Sequence, residues 1–260
     1  MTMTDLLCEL QGHVLLITLN RIDKHNAFDD VILSNLHGLL EKAAQNKTVR
    51  VVVIKANGRH FSAGADISWM QRMASYSEQE NQEDAALLAR VMHALYHLPK
   101  PTIAAVHGKA LGGGAGLVAA CDIAIAAPSA RFSFSEVKLG LIPAVISPYV
   151  IKAMGARNTA ALFMSAEEFD SHRALALQLV HHCVPEEELL SFTLQYAKNI
   201  TMLAPLAVAE AKALVRQVAP LPLDEKLQTL TATLIAKKRA SSEAQCGLNA
   251  FLNKEPPNWN

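Results

Sequence analysis

The sequence lacks the features that mark three broad classes of protein. Its four cysteines are scattered and none belongs to a CxxC pair, which fits a reducing compartment and neither a disulfide framework nor a zinc knuckle. The 24 basic and 24 acidic residues give a formal net charge of zero, so we expect neither a nucleic-acid partner nor a polybasic membrane anchor. The ten histidines show no metal-ligand spacing, and no metal site is predicted.

Export and membrane signals are also missing. The first ten residues include Asp5 and Glu9 and have no basic segment, so we predict no signal peptide and a cytoplasmic protein. The run 110–128 is apolar over nearly the length of a membrane span, but it contains Asp122 and four glycines. An aspartate at the bilayer centre costs about 2.5–3.5 kcal/mol. We therefore expect this run inside a globular protein, with no membrane partner.

The motifs of several enzyme classes are absent. The sequence has no GxSxG elbow of an α/β-hydrolase, no HExxH zinc motif and no GxxxxGK[ST] phosphate loop. The segment 114–119 formally matches the dinucleotide fingerprint GxGxxA. That fingerprint needs its first glycine directly after a strand, whereas residues 107–113 intervene here. The sequence therefore disfavours a dinucleotide-binding fold.

Strands and helices alternate through the first half of the chain. Hydrophobic residues make up 51% of the sequence and charged residues 18%, as in an ordered globular protein. The helix predicted over 29–46 has an apolar face of Val31, Leu33, Leu36, Leu39, Leu40 and Ala43. Further helices are predicted at 80–98 and from the glycine cluster to 120, and strands at 14–19, 49–55, 102–106, 122–126 and 131–134. This alternation predicts an α/β fold with a mainly parallel sheet, followed by an almost wholly helical region from about residue 145.

Two glycine-rich loops each lead into a predicted helix. They cover residues 58–67 and 110–114. Such loops expose backbone N–H groups at helix N-termini, where negative charge is favoured. If the two loops face each other, two amides can hold one oxygen atom. The alternative is that the glycines only allow tight turns and close helix packing.

These loops and their flanks resemble the enoyl-CoA hydratase/isomerase (crotonase) family. The order and spacing of the shared motifs extend over essentially the whole chain: FSAGADI (61–67), AAVHGKALGGG (104–114), CDI (121–123), FSE followed by LGLIP (134–143), and AFLNK with PNW near the end. The resemblance implies an α/β fold with a repeated ββα spiral core over residues 1–200. It also implies a C-terminal helical oligomerisation region over 201–260, which builds a homotrimer or a dimer of trimers.

The resemblance also implies the roles of individual residues. The backbone N–H groups of Ala65 and Gly113 would hold the carbonyl oxygen of an acyl-CoA thioester, and Glu136 would move protons. Asp66 is expected to cap the following helix rather than to act as a catalyst. No cofactor is implied, since coenzyme A is part of the substrate. The residues expected to bind substrate or CoA are Lys24, Ala27, Ala63, Asp66, Ile67, Ser68, Gly112 and Gly116.

The chain departs from the family pattern at two places. The second catalytic glutamate of typical hydratases falls on Gly116, and the usual glycine-rich stretch after Pro143 reads AVISPYV (144–150). This combination is similar to bacterial methylglutaconyl-CoA hydratases of leucine breakdown. We therefore predict hydration of a branched 2-enoyl-CoA, with 3-methylglutaconyl-CoA as the named candidate. A single carboxylate also suits a Δ3,Δ2-enoyl-CoA isomerase, and a non-catalytic CoA- or RNA-binding relative is a further alternative.

Overall fold

Six strands form the main sheet, in the order β1-β2-β3-β4-β6-β9. The computed structural model describes residues 5–259. Strands β1 and β2 form an antiparallel hairpin, and the remaining neighbours are parallel, so the prediction of a mainly parallel sheet is confirmed. The strands are β1 Leu6–Gln11, β2 Val14–Leu19, β3 Val51–Ala56, β4 Thr102–Val106, β6 Ile123–Ala126 and β9 His182–Cys183.

A second, smaller sheet has the order β5-β7-β8. It contains β5 Lys109–Leu111, β7 Arg131–Ser133 and β8 Phe169–Asp170. Strands β5 and β7 are parallel, and β7 and β8 are antiparallel. The sequence did not predict β5 or β8, because strands of two or three residues are too short to show an alternating pattern. This sheet positions the loop at Gly112 and the turn at Glu136, which follow β5 and β7 in the chain.

Eleven α-helices cover the two sheets or extend from them within the described residues. They are α1 Asp30–Gln45, α2 Ile67–Met73, α3 Glu78–His97, α4 Gly113–Ala120, α5 Ser147–Met154, α6 Ala156–Ser165, α7 Ser171–Ala176, α8 Leu189–Thr201, α9 Pro205–Val218, α10 Glu225–Arg239 and α11 Ser242–Asn253. Short 3-10 turns occur at Ile22–Lys24, Glu136–Leu139 and Glu186–Glu188. None of these helices has the length and hydrophobicity needed to cross a membrane.

The first long helix shows how the sequence determines the packing. Asp29 caps α1 by accepting a hydrogen bond from the N–H of Ile32. The predicted apolar face is confirmed except at its start, where Ile32 is buried and Val31 is 58% exposed. Residues four positions apart lie on the same face of a helix, and Ile32 is four residues before the fully buried Leu36.

The core lies on both faces of the main sheet. Alternate residues of β3 separate the faces: Val52 and Ile54 pack in the larger cluster with α1, α3 and α4, whereas Val51 and Val53 pack against α8. Helix α4 is the central element, because every residue from 114 to 120 is buried. The apolar run 110–128 is therefore an interior strand–helix–strand segment.

A small polar cluster joins α9, the first of the last three helices, to the core. The carboxylate of Asp122 lies between Lys212 Nζ, at 2.6 Å, and Arg216 Nη2, at 3.2 Å. Both of these residues belong to α9. The guanidinium of Arg216 also lies 3.9 Å from the ring centroid of Tyr96 on α3, within the range of a cation–π contact. Helices α9, α10 and α11 contain no buried residue in the single chain.

Candidate active site

The first glycine-rich loop is held against Phe28. The N–H of Phe28 donates to the carbonyl of Gly64 at 2.7 Å, and the N–H of Asp66 donates to the carbonyl of Phe28 at 2.8 Å. In such a parallel bridge the middle residue directs its own N–H away from the partner strand. The middle residue here is Ala65. Within residues 5–259 its N–H has no backbone acceptor.

The second loop ends at the first residue of α4. The N–H of Gly112 donates to the carbonyl of Ser133 on β7 at 2.9 Å. Gly113 follows as the first helical residue, so its N–H is one of the donors that a helix leaves without an internal acceptor. The helix dipole adds partial positive charge at the same point. Gly112 has φ +48°, which a residue with a side chain rarely adopts.

The two loops lie side by side. The N–H of Ser62 donates to the carbonyl of Lys109, and the N–H of Leu111 donates to the carbonyl of Ser62. A Cβ on Gly64 would lie 3.2 Å from the carbonyl oxygen of Leu111. The sequence left open whether the glycines serve only turns. The structure shows that they also bring the two loops into contact, and in the described part of the chain the N–H groups of Ala65 and Gly113 have no backbone acceptor outside the helices.

Glu136 lies against the second loop. It begins the 3-10 turn that follows β7, and its Oε1 is 3.0 Å from the position that a Cβ on Gly112 would occupy. Its Oε2 is buried and has no hydrogen-bond partner among the described residues. Burial raises the pKa of this carboxyl, and its own backbone N–H offsets the shift only in part. A carboxyl in this state is suited to exchanging protons with a bound molecule.

The raised pKa predicts a pH profile. If Glu136 acts as a base, it must be ionised, so kcat/KM should fall as the pH drops through its pKa. The midpoint of that fall should lie above the ordinary value of 4.5, because burial disfavours the charged form. Initial rates measured across the acid range test this. A midpoint at or below 4.5 would show that the carboxyl is solvated in the working enzyme.

The position of the missing second glutamate is closed by packing. A Cβ on Gly116 would lie 2.7 Å from Cβ of Ile146 and nearer still to its Cγ2, with Met92 Cε at 3.5 Å. Ile146 is 2% exposed. Both departures from the family pattern, Gly116 and the altered stretch 144–150, therefore meet at one contact. The sequence alone did not reveal the contact between Gly116 and Ile146. The occurrence of both departures in one chain was the signal that could have indicated it.

The contact between Gly116 and Ile146 predicts that one methyl group added at residue 116 destabilises the folded protein. Gly116→Ala should lower the free energy of unfolding by about 1–3 kcal/mol, as overpacked cores do. The loss should shrink when Ile146→Ala is already present, because that change removes Cγ2, the nearest atom, and leaves only Cβ of residue 146 at 2.7 Å; a double-mutant cycle measures this coupling. Urea unfolding measures both. Gly38→Ala is the matched control, since Gly38 lies inside α1 with nothing within 4 Å of its Cβ position. Equal costs of Gly116→Ala in both backgrounds would contradict the steric explanation.

Asp66 has a structural role. Its side chain caps α2 by accepting from the N–H groups of Ser68 and Trp69, and Arg21 Nη1 lies 3.0 Å from its second oxygen. Burial alone would raise the pKa of Asp66, but these hydrogen bonds and the charge of Arg21 lower it below its usual range. The prediction of an N-cap is confirmed. Its buried carboxylate is occupied by these contacts, and the binding of a ligand at Asp66 stays a prediction.

The other predicted binding residues fall into two groups. Exposed or half-buried positions around the first loop are available to a ligand; these are Lys24, Ala63, Ile67 and Ser68. Three more are buried, namely Ala27, Gly112 and Gly116. Gly112 lies against Glu136, and Gly116 lies against Ile146. Sequence reasoning did not assign a role to Arg21, which joins Asp29 and Asp66, both at 3.0 Å, and thereby fixes the first loop.

Comparisons with known proteins identify the family of this chain. Residues 9–260 match the family described as Enoyl-CoA hydratase/isomerase. The 2,3-dehydroadipyl-CoA hydratase of Escherichia coli is 34% identical, over 99% of both chains. A Legionella pneumophila structure assigned to the enoyl-CoA hydratase/isomerase (crotonase) group is 59% identical, covers 100% of both chains and has a TM-score of 0.96. An enoyl-CoA hydratase structure from Shewanella pealeana is 43% identical, covers 98% of this chain and 96% of its own, and has a TM-score of 0.95. Together with the paired amide loops and the buried carboxyl, these matches show that the chain is an enzyme of the enoyl-CoA hydratase/isomerase family, with the crotonase fold.

Proposed function

We propose that this enzyme adds water across the 2,3 double bond of an enoyl-CoA, with a branched acyl group such as that of 3-methylglutaconyl-CoA. The observation that carries the proposal is the carboxyl of Glu136: its Oε1 lies against Gly112, and its Oε2 is buried without a hydrogen-bond partner among the described residues. Gly112 directly precedes Gly113, whose N–H is the first of α4. A proton-transfer group and an anion-binding group are thus adjacent.

The two amides supply the electrostatic part of the reaction. When water adds at C3, electrons move through the conjugated system onto the thioester oxygen. We assign the N–H groups of Ala65 and Gly113 to that oxygen. Preorganised donors of this kind are each worth about 2.7–4 kcal/mol of activation free energy. The dipole of α4 acts in the same direction.

Glu136 supplies the proton transfer. In its ionised form it accepts a proton from a bound water while the water oxygen bonds to C3. The same carboxyl then donates that proton to C2, and the electrons of the enolate form the new C2–H bond. The carboxylate is regenerated, and the product is a 3-hydroxyacyl-CoA. One acid group is sufficient because it takes and returns the same proton.

The acyl group is proposed from two lines of support. The segments around Gly116 and Ile146 resemble methylglutaconyl-CoA hydratases. The Escherichia coli relative is named for 2,3-dehydroadipyl-CoA, which, like 3-methylglutaconyl-CoA, carries a second carboxylate at the end of its acyl chain. We place the reaction in the breakdown of leucine on this basis.

A second candidate is isomerisation of a 3-enoyl-CoA to a 2-enoyl-CoA. The contact between Gly116 and Ile146 favours it, because a side chain at residue 116 has no room to provide a second acid. A single carboxyl can carry a proton between C2 and C4. A CoA- or RNA-binding protein without catalysis is a weaker alternative, since the net charge is zero and Glu136 retains the buried environment of a working acid.

One substrate comparison separates these functions. Purified protein is offered 3-methylglutaconyl-CoA, crotonyl-CoA and a 3-enoyl-CoA, and the products are identified by mass spectrometry. We expect a gain of one water on 3-methylglutaconyl-CoA at a higher kcat/KM than on crotonyl-CoA. Conversion of only the 3-enoyl-CoA, without a change in mass, would replace hydration by isomerisation. No turnover of any of the three would favour a binding role.

We further propose that the enzyme is a homotrimer or a dimer of trimers, assembled through α9, α10 and α11. These helices leave large apolar side chains exposed in the single chain, among them Leu206, Val215, Phe251 and Leu252. Such a surface is typical of an interaction site. Sedimentation velocity distinguishes the assembled forms from a monomer, which would contradict this proposal.

A further inference from the structure

One face of α4 carries no side chain over a full turn. The N–H of Gly116 donates to the carbonyl of Gly112, so the two glycines lie one above the other about 6 Å apart along the helix. Glu136 lies over the first glycine and Ile146 over the second. An acyl chain whose C2 and C3 lie beside Glu136 therefore runs toward Ile146 if it follows the helix.

Ile146 and Met92 form an apolar wall at that end. Both contact the position of a Cβ on Gly116, and their side chains are 2% and 0% exposed. Met92 belongs to α3, and Ile146 is the N-cap of α5. The wall is therefore made by two separate elements that both pack on α4.

A cavity of about 880 Å³ that is partly open to solvent begins about one helical turn further along these helices, and the charged residues Asp122, Lys212 and Arg216 line part of it. Its lining includes Val118, Ala119, Tyr96 and Tyr149. Tyr96 is one turn beyond Met92, and Tyr149 is nearly one turn beyond Ile146. The two tyrosine rings contact each other at 5.4 Å between centroids. The two helices that form the wall, together with α4, therefore also contribute to the lining of the cavity.

We propose that Ile146, supported by Met92, is a specificity-determining residue that limits the length of the acyl chain. The inference rests on the proposed function for the position of the acyl group. The wall admits short acyl groups and stops longer ones. Removing the side-chain carbons of Ile146 beyond Cβ joins the acyl site to the cavity, which is large enough for a longer chain.

The experiment compares binding of two unreactive ligands, butanoyl-CoA and decanoyl-CoA, by isothermal titration calorimetry. For the wild-type protein we expect tighter binding of butanoyl-CoA. For Ile146→Ala the ratio of the two affinities should shift by at least tenfold in favour of decanoyl-CoA. Ile103→Ala is the matched control, because it removes the same atoms from a fully buried isoleucine in the other core cluster. It should leave the ratio unchanged.

This binding experiment can fail or succeed independently of the proposed hydratase function. The ligands cannot be hydrated or isomerised, so a protein that binds them with the expected ratios supports the wall even if 3-methylglutaconyl-CoA is not its substrate. An unchanged ratio in folded Ile146→Ala, or equal shifts in both variants, overturns the proposal. If Ile146→Ala does not fold, Ile146→Val and Met92→Ala must each shift the ratio in the same direction, and failure of both to do so also overturns it.

Discussion

Glu136→Gln is expected to lower kcat for hydration by about 10²–10⁴-fold, the usual effect of losing a general acid–base group. Glutamine keeps the shape of the side chain but cannot accept or return a proton. KM should change little, since the thioester is held by main-chain donors on other residues. Steady-state rates with the preferred enoyl-CoA measure the effect. Activity within about tenfold of wild type would remove Glu136 from the reaction.

The stability of this variant provides an independent readout. The pKa of Glu136 is raised in the folded protein, so ionisation of the buried carboxyl costs stability. That cost is absent below the pKa of the unfolded chain and grows as the pH rises through the folded pKa. Relative to wild type, Glu136→Gln should therefore gain stability as the pH increases from the acid range to neutrality. Glu186→Gln is the matched control, because Glu186 also begins a 3-10 turn but is exposed.

Gly113→Pro is expected to lower kcat by about 10²–10³-fold, as removal of one oxyanion donor does in other enzymes. Proline has no backbone N–H, and the first position of a helix is the one that tolerates it best. Its Cβ would meet Phe28 Cδ2 at 3.5 Å, an ordinary contact. The preceding residue, Gly112, has no Cβ to clash with the proline ring.

Gly113→Ala separates the loss of the donor from the added carbon atom. Alanine places the same Cβ beside Phe28 but keeps the N–H, so it should retain far more activity than the proline variant. Circular dichroism and urea unfolding check that both variants fold. Equal losses of kcat in the two variants would show that crowding, and not the missing hydrogen bond, is responsible.

Much of the fold could be predicted from local patterns. Strands β2 and β4 have the predicted bounds, and α1 differs from its prediction by one residue at each end. Helix α1 is long and has a periodic apolar face, and β2 and β4 are short runs in which every residue is buried, so their own sequence specifies them. Helix α3 begins two residues earlier than predicted, because the capping box of Ser77 and Glu80 fixes its start. The short strands β5, β8 and β9 were missed, since they depend on partners that are distant in sequence.

The sequence by itself determined the family, the paired glycine loops and the identity of Glu136 as the candidate acid–base group. Those features are carried by residue types and spacings that only a few arrangements can satisfy. The tertiary structure alone decided that the carboxyl of Glu136 is buried against Gly112, that Asp66 is engaged by Arg21, and that Ile146 fills the space beside Gly116. Each of these is a contact between segments 24 to 45 residues apart. Burial and steric exclusion arise only when such segments pack together, so no local pattern specifies them.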